Sequence, residues 1–276
     1  MRDDFAVFLI THGRPHNQMT LKTLQKGNYT GRVYFIVDDE DETKDDYIKL
    51  YGEENVKIFH KSEWFDIGDN LTDHKGVPVY ARNECFRIAN DLGLKYFVQL
   101  DDDYPAIILR YDDGEKLAKK DVTDFDYLFD AVCDFLSISP ITCVAFGVAG
   151  DFIGGRKSKY QQRIYFNARN SFFCKTESPF QFLGRVNEDV STPAWHNMTG
   201  RLFLTVLDVM VFLHDHDKNS GGSTDQYKNL SLYWNYFYPV MYVPSAIKIS
   251  GKSGAINKQV SYENLVPKIL NERWKK

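Results

Sequence analysis

Four short apolar, β-rich runs mark the first hundred residues, and three of them stop at a polar cluster. Phe5–Ile10 gives way to Thr11-His12-Gly13-Arg14-Pro15, and the β-rich run from Arg32 to Val37 ends at Asp38-Asp39. A third short run covers Val56 to His60. The fourth, Lys95 to Leu100, leads directly into Asp101-Asp102-Asp103. Between them, Asn17 to Gln25 is compatible with a short helix. Ala81, Cys85, Ile88 and Ala89 recur at i, i+4, i+7 and i+8, which predicts a helix over Val79 to Leu92 closed by Gly93. Strands separated by helices imply a largely parallel sheet. Such sheets take their ligands beyond the carboxyl ends of the strands, where these clusters lie.

The second half is less regular. Thr123 and Asp126 have capping-box spacing before a helix running through Phe135. Ile141 to Val148 and Arg163 to Phe173 read as strands, and Leu202 to Leu213 as strand pairs. Gly184 to Val190 has no period and reads as a loop. Thr224 to Tyr236 is compatible with a helix ending before Pro239. With no linker or repeat to divide it, the chain is expected to form one domain over 1–276. That domain would have two halves, 1–104 and 105–276. The expected fold class is α/β, a mostly parallel central sheet flanked by helices with an elaborated mixed second half.

Net charge is −4, from 34 basic and 38 acidic residues, which excludes indiscriminate coating of a polyanion. The sum hides two opposed segments. Asp38 to Glu54 holds nine acids against two lysines. From Gly154 to Arg185, seven basic residues (Arg156, Lys157, Lys159, Arg163, Arg169, Lys175, Arg185) face Glu177 alone, interleaved with Tyr160, Tyr165, Phe166, Phe172, Phe173, Phe180 and Phe182. Basic and stacking groups together suit a nucleic-acid contact. Core aromatics with solvated Lys and Arg on the other face are the alternative. The four cysteines have no C-x-x-C spacing and read as reduced, buried hydrophobes of a cytoplasmic protein, not as a zinc site. No run reaches the length of a membrane span and no secretory leader is visible, so no membrane association is expected.

Asp101-Asp102-Asp103 carries the strongest chemical signal. Three consecutive acids repel one another unless water or a cation intervenes, and Mg²⁺ or Mn²⁺ takes such oxygen ligands and bridges to phosphates. Asp101 and Asp103 would share a face if the strand continued; an exposed acidic turn is the other reading. Glu188-Asp189 is a second acid pair, either a base for an acceptor hydroxyl or the first turn of a helix. At the first strand end, Gly13 permits close approach and Arg14 reaches a phosphate. Asp38 and Asp39 can accept from a base or ribose, and Arg82-Asn83 can face the same crevice. His214 and His216 share a face only if a strand persists there. Asn219 to Thr224 is either a loop that closes over a phosphate or a plain loop. There is no Walker loop and no nucleophile elbow.

The order of these motifs resembles a glycosyltransferase of the GT-A fold. Thr11-His12-Gly13-Arg14-Pro15, Val37-Asp38-Asp39, Ala81-Arg82-Asn83 and Leu100-Asp101-Asp102-Asp103 follow that plan, and Asn187-Glu188-Asp189 resembles its x-E-D motif. More narrowly, the chain resembles the TET-associated glycosyltransferases of bacteriophages. The likeness rests on Thr11 to Arg14, Ala81 to Asn83, the acidic triplet, Arg185 to Val190, Gly221-Gly222 and Val266-Pro267-Lys268-Ile269.

The resemblance implies a donor site for a nucleoside diphosphate sugar, UDP favoured, at Thr11, His12, Gly13, Arg14, Asp38, Asp39, Arg82, Asn83 and Asp102. It implies Mn²⁺ or Mg²⁺ on Asp101 and Asp103, and a catalytic base at Asp189 or Glu188. The acceptor would be a 5-hydroxymethylpyrimidine in phage DNA, 5-hydroxymethylcytosine favoured, held by Arg156, Lys157, Lys159, Arg163 and Arg185 in the host cytoplasm. One departure stands out: GT-A enzymes often supply a C-terminal histidine to the metal, and no histidine follows His216. His214, His216, Asn257 or water would then take that position. A protein, glycan or small-molecule acceptor, a nucleotidyltransferase and a non-enzymatic DNA-binding module are the competing readings.

Overall fold

The computed structural model describes residues 1–66, 77–165, 167–213, 232–252, 255–261 and 265. Strands β1 (Phe5–Ile10), β2 (Arg32–Asp38), β3 (Val56–Phe59) and β4 (Tyr96–Asp101) are parallel, in the order β3-β2-β1-β4. Beyond β4 the sheet continues through β9 (Phe172–Lys175), β7 (Ile141–Val148), β10 (Leu202–Phe212), β5 (Ala106–Asp112) and β6 (Leu117–Asp121). β9 is antiparallel to both of its neighbours, so β7 and β10 run the same way as β4. β5 reverses against β10, and the two-residue β8 (Ile164–Tyr165) also pairs with β10. The α/β class and the predominantly parallel sheet agree with expectation.

The first strand is continuously apolar because both of its faces are covered. Successive side chains on a strand alternate sides. Phe5, Val7 and Leu9 join a cluster with α1 (Met19–Lys26) and α4 (Phe125–Ile138) through Leu24, Phe125, Phe129 and Val132. Ala6 and Phe8 join the other cluster with α3 (Val79–Asp91) through Ala81, Cys85, Ile88 and Ala89. The predicted helical period of α3 is therefore its sheet-facing side. All four cysteines are free and buried.

The structure revises several element assignments. α4 is capped by Asp124, whose carboxylate accepts from Tyr127 N at 2.9 Å; Thr123 is not the cap. Leu202–Phe212 is one strand, because nothing in it can turn the chain and it has partners on both edges. Arg163 to Phe173 splits into β8 and β9, interrupted around Asn170, whose φ of 63° is left-handed. The expected loop at 184–190 ends early, since α5 (Glu188–Met198) begins at the acid pair. That helix has no readable period because it is buried on several sides, at Glu188, Val190, Ser191, Thr192, Pro193, Ala194 and Asn197. Its partner α6 (Leu232–Tyr242) continues past Pro239. Three elements were not anticipated: α2 (Lys44–Tyr51), the β5–β6 hairpin, and a separate hairpin of β11 (Ile247–Lys252) and β12 (Ala255–Val260). Among the described residues no helix is long and apolar enough to cross a membrane.

Candidate active site

The polar groups converge at the carboxyl ends of β1, β2 and β4. Thr11 ends β1 inside the protein: its Oγ1 donates to Asp102 Oδ2 at 2.6 Å and lies 2.7 Å from the Tyr47 hydroxyl. Gln18 Nε2 donates to the same Oγ1 and to Arg14 O, each at 2.9 Å. Gly13 turns with a φ of 70°, open to glycine without strain, and donates its N–H to Asp41 Oδ2 at 2.7 Å. The acid-rich segment after β2 thus has a structural task, which is to hold the β1 turn through Asp41 and Tyr47. Thr20 of α1 fixes the triplet's backbone, donating its N–H to Asp102 O at 3.1 Å and its hydroxyl to Asp101 O at 2.5 Å.

The three acids meet different fates. Asp102 is buried beneath the turn, with Arg14 Nη1 3.2 Å from Oδ1. Burial pushes its carboxyl up to about 6, against the opposing pull of Arg14 and Thr11. Both its oxygens are engaged with the first turn, so it organises that turn and does not face a donor. Asp101 and Asp103 remain about one-third exposed, at 31% and 32%. Asp101 Oδ1 takes Arg82 Nη2 at 2.9 Å, and its Oδ2 lies 2.8 Å from the Tyr104 hydroxyl.

Arg82 lies on the buried side of α3, with its guanidinium carbon 4.9 Å from the Phe172 ring centre. Its Nε donates to Glu188 Oε1 at 3.1 Å, so one side chain joins the end of β4 to the start of α5. It was expected to face the donor, but its Nε and Nη2 are turned to protein acids, while Nη1 is buried with no hydrogen-bond partner among the described residues. Asn83 is likewise occupied. It donates to Val79 O at 2.9 Å and Phe182 O at 3.2 Å, and accepts from Phe182 N at 2.8 Å. The pair anchors the 180–188 segment onto α3.

The base end of the cleft is more open. His12 is half-exposed, and its Nδ1 lies 2.7 Å from Asp38 Oδ2. That contact holds the imidazole above its ordinary range although burial opposes it. Burial disfavours the Asp38 anion, but His12 and Lys61 together outweigh it and hold the carboxyl low. Asp39 accepts from Lys61 N at 3.0 Å and meets His60 Nδ1 at 3.0 Å.

Glu188 and Asp189 form the first turn of α5 and are not in a loop. The helix dipole favours anions there by about 0.3–1 kcal/mol. Desolvation is the larger effect, and it pushes the buried Glu188 carboxyl up to about 7 despite Arg82. Asp189 is less enclosed. The preceding Asn187 has a left-handed φ of 54° and its side chain does not cap the helix. Its Nδ2 donates instead to Asn235 O on α6 at 2.7 Å, and its Oδ1 accepts from Lys258 Nζ on β12.

Glu188 also leaves a mark on stability. Its folded pKa exceeds the ordinary 4.5, so the native state binds more protons than the unfolded chain between about 4.5 and 7. Stability from this group falls as pH rises through that window and is flat above it. Glu188→Gln carries no such proton, so its denaturation midpoint is expected to gain on the wild type from pH 4.5 to 7.5. Parallel midpoints over that range would contradict the buried assignment.

The basic segment divides. Arg185 is buried, with its N–H on the Tyr238 hydroxyl at 2.9 Å and Nη2 on Phe65 O at 3.1 Å, so it supports the turn and does not reach outward. Tyr160, Phe172, Phe173, Phe180 and Phe182 are core residues, as the packing alternative has it, while Tyr165 is half-buried and Phe166 lies outside the described residues. Lys157 is exposed. Arg156 pairs with Asp112 at 2.8 Å, Lys159 with Asp151 at 3.1 Å, and Arg163 with Asp208. Large exposed side chains lie elsewhere, among them Trp195 and Met198 on α5 and Trp234, Phe237 and Met241 on α6. Among the alternatives for a late metal ligand, His214 and His216 lie outside the described residues, as do Gly221-Gly222 and Val266 to Ile269. Asn257 is exposed on β12, and strand alternation turns its neighbour Lys258 to the acids. Lys258 was not anticipated; only its place on an unrecognised strand would have singled it out.

The model of the TET-associated glycosyltransferase family matches residues 5–222, a span that holds the β1 turn, Arg82, the acidic triplet and the acid pair. The chain belongs to that family. No curated protein sequence matches this TET-associated glycosyltransferase. Among solved structures it is similar to the mannosyltransferase PcManGT from Pyrobaculum calidifontis in complex with GDP-Man and Mn²⁺. That pair has 16% identity and a TM-score of 0.48 over 80% of this chain and 59% of the other. It is also similar to S. aureus TarS 1-349 in complex with UDP, at 13% identity and TM-score 0.44 over 78% and 62%. A third similar structure is GalNAc-T7 with UDP, GalNAc and Mn²⁺, at 13% identity and TM-score 0.44 over 76% and 43%. The chain thus spans less than two thirds of the length of each.

Proposed function

We propose that this protein is a GT-A-type enzyme that moves a sugar from a nucleoside diphosphate, UDP favoured, onto the hydroxyl of a 5-hydroxymethylpyrimidine in phage DNA, 5-hydroxymethylcytosine favoured. The observation that carries the reading is the Arg82 bridge. It draws Asp101, which ends β4, and Glu188, which opens α5, to one guanidinium at the strand ends. In this reading residues 1–104 hold the donor and 105–276 the acceptor, in the host cytoplasm.

His12, Asp38 and Asp39 border the space for the nucleoside, and Gly13 and Arg14 the space for its phosphates. Asp101 and Asp103 suit Mn²⁺ or Mg²⁺: both are hard oxygen donors and both reach solvent. Among the described residues no three His, Cys, Asp or Glu side chains cluster as a complete ligand cage. Two carboxylates with water and substrate phosphates are the usual Mg²⁺ arrangement. When bound, the cation would supply charge neutralisation at the departing diphosphate.

Asp189 is assigned the base. It sits at the same helix start as Glu188 but is less enclosed, and it takes the proton of the acceptor hydroxyl as the sugar departs. Glu188, held by Arg82, orients the turn. A base in duplex DNA has to leave the stack first, at a cost of about a few kcal/mol. Arg156 and Arg163 are about half-exposed, and exposed ion pairs like theirs are worth about 0–1 kcal/mol, so a phosphate backbone can displace them. Trp234 and Phe237 offer apolar faces for unstacked bases.

The test incubates the protein with Mn²⁺ and a panel of nucleotide sugars, with and without DNA containing 5-hydroxymethylcytosine or 5-hydroxymethyluracil, followed by mass analysis of the nucleosides. A hexose or pentose added to one modified nucleoside, abolished by chelation, is the expected result. Donor hydrolysis unaffected by every DNA would redirect the acceptor to a protein, glycan or small molecule. Pyrophosphate release without sugar transfer would indicate a nucleotidyltransferase.

A further inference from the structure

The turn that presents the acid pair is held from outside the family-matched span. Asn187 occupies the position before α5, where a side-chain oxygen ordinarily accepts from the helix's own N–H groups. Here the side chain turns away, with its amide on α6 and its oxygen on β12, both beyond residue 222. Asparagine tolerates the left-handed backbone, so the geometry costs little provided that the side chain stays engaged. The β12 contact is Lys258. Its ammonium donates to Asn187 Oδ1, and burial draws its pKa below the usual lysine range, opposed by the charges of Asp189 and Glu188 and reinforced by that of Arg169. Arg169 is in turn held by Asp151 at 3.1 Å. A desolvated ammonium bonded to one amide oxygen has few alternative placements, so it fixes the Asn187 side chain it touches.

We infer that Lys258 is the positioning residue of the acid pair: through Asn187 and its charge it sets the direction in which Asp189 meets the acceptor hydroxyl. This rests on the assignment of Asp189 as base. Among the described residues no hydrogen bond or ion pair joins Lys258 to the groups at the ends of β1, β2 and β4, so the effect falls on the transfer step and not on donor binding. Misplacing a reacting group by about 1 Å costs on the order of 100-fold, which sets the scale expected.

Two readouts test it. Hydrogen exchange of the intact protein needs no substrate. Lys258→Met and Asn187→Gly are each expected to speed exchange in 186–191 while β1 and β4 keep their protection; Asn187→Gly keeps the permitted φ and loses only the side-chain bonds. With the donor–acceptor pair from the panel above, Lys258→Met should lower kcat by roughly 10- to 100-fold with donor KM unchanged. Lys258→Arg should restore most of the loss. The proposal is overturned if Lys258→Met exchanges and turns over like the wild type while Asp189→Asn is inactive. It is also overturned if the loss lies in donor KM, or if arginine gives no rescue in a folded protein. If instead Asp189→Asn and Glu188→Gln both retain full turnover, the base assignment fails, and the exchange result still reports whether Lys258 holds the turn.

Discussion

Asp189→Asn is expected to slow sugar transfer by roughly 100- to 10,000-fold, the range for loss of a general base, with nucleotide affinity unchanged. Asparagine matches aspartate in shape and stays compatible with the first helical turn, so the loss reports chemistry and not refolding. Glu188→Gln should cost less, because the buried Glu188 acts through Arg82 on the placement of the turn. Single-turnover rates at saturating donor separate the two. Wild-type rates in Asp189→Asn with an inactive Glu188→Gln would transfer the role to Glu188. Wild-type rates in both would remove the base from the mechanism.

Arg82→Leu should produce the largest loss of stability, about 3–5 kcal/mol, the usual cost of stranding a buried charge by removing its partner. The guanidinium is 2% exposed and serves Asp101 and Glu188 together. Leucine fills part of the volume against Phe172 but leaves both carboxylates without the guanidinium that bonds them. The deficit has a definite pH sign. Without Arg82 the folded-state pKa of Glu188 rises beyond about 7, so the native variant holds a proton that the unfolded chain releases. Its stability therefore falls as pH climbs from about 4, and the gap to wild type should be wider at pH 8 than at pH 5. Urea denaturation at both values measures it. A gap below about 1 kcal/mol with no pH dependence would show that the bridge contributes nothing.

The parallel half was legible because burial on both faces leaves a plain record. Phe5 to Ile10 needs no alternation when α3 and α4 cover opposite sides, and its bounds were readable to the residue. The second half obscured its elements wherever context overrode pattern. α5 is enclosed on several sides and starts from a left-handed Asn187, so neither period nor cap marked it. The aromatics of 154–185 looked like a stacking surface because a sequence cannot say that Phe172 and Phe182 lie beneath Arg82. At the site, residue types located the acids but not their exposure. Asp101, Asp102 and Asp103 are equal on paper; in the fold, Thr11 and Arg14 bury the middle one and leave the outer two at the cleft. Lys258 was invisible since its hairpin was not recognised and its partner lies 71 positions away.

The Arg82 bridge also restricts how such a protein can diverge. Its three members come from a helix, a strand end and a second helix, and replacing Arg82 first leaves the buried Glu188 without its guanidinium. Drift that begins at 82 is thus blocked. Replacement has to pass through coordinated change, such as a neutral side chain at 188 arising first and relaxing the demand at 82. Relatives with another residue at 82 should therefore carry matching changes at 101 or 188, a pattern of co-inheritance that a set of family sequences would reveal.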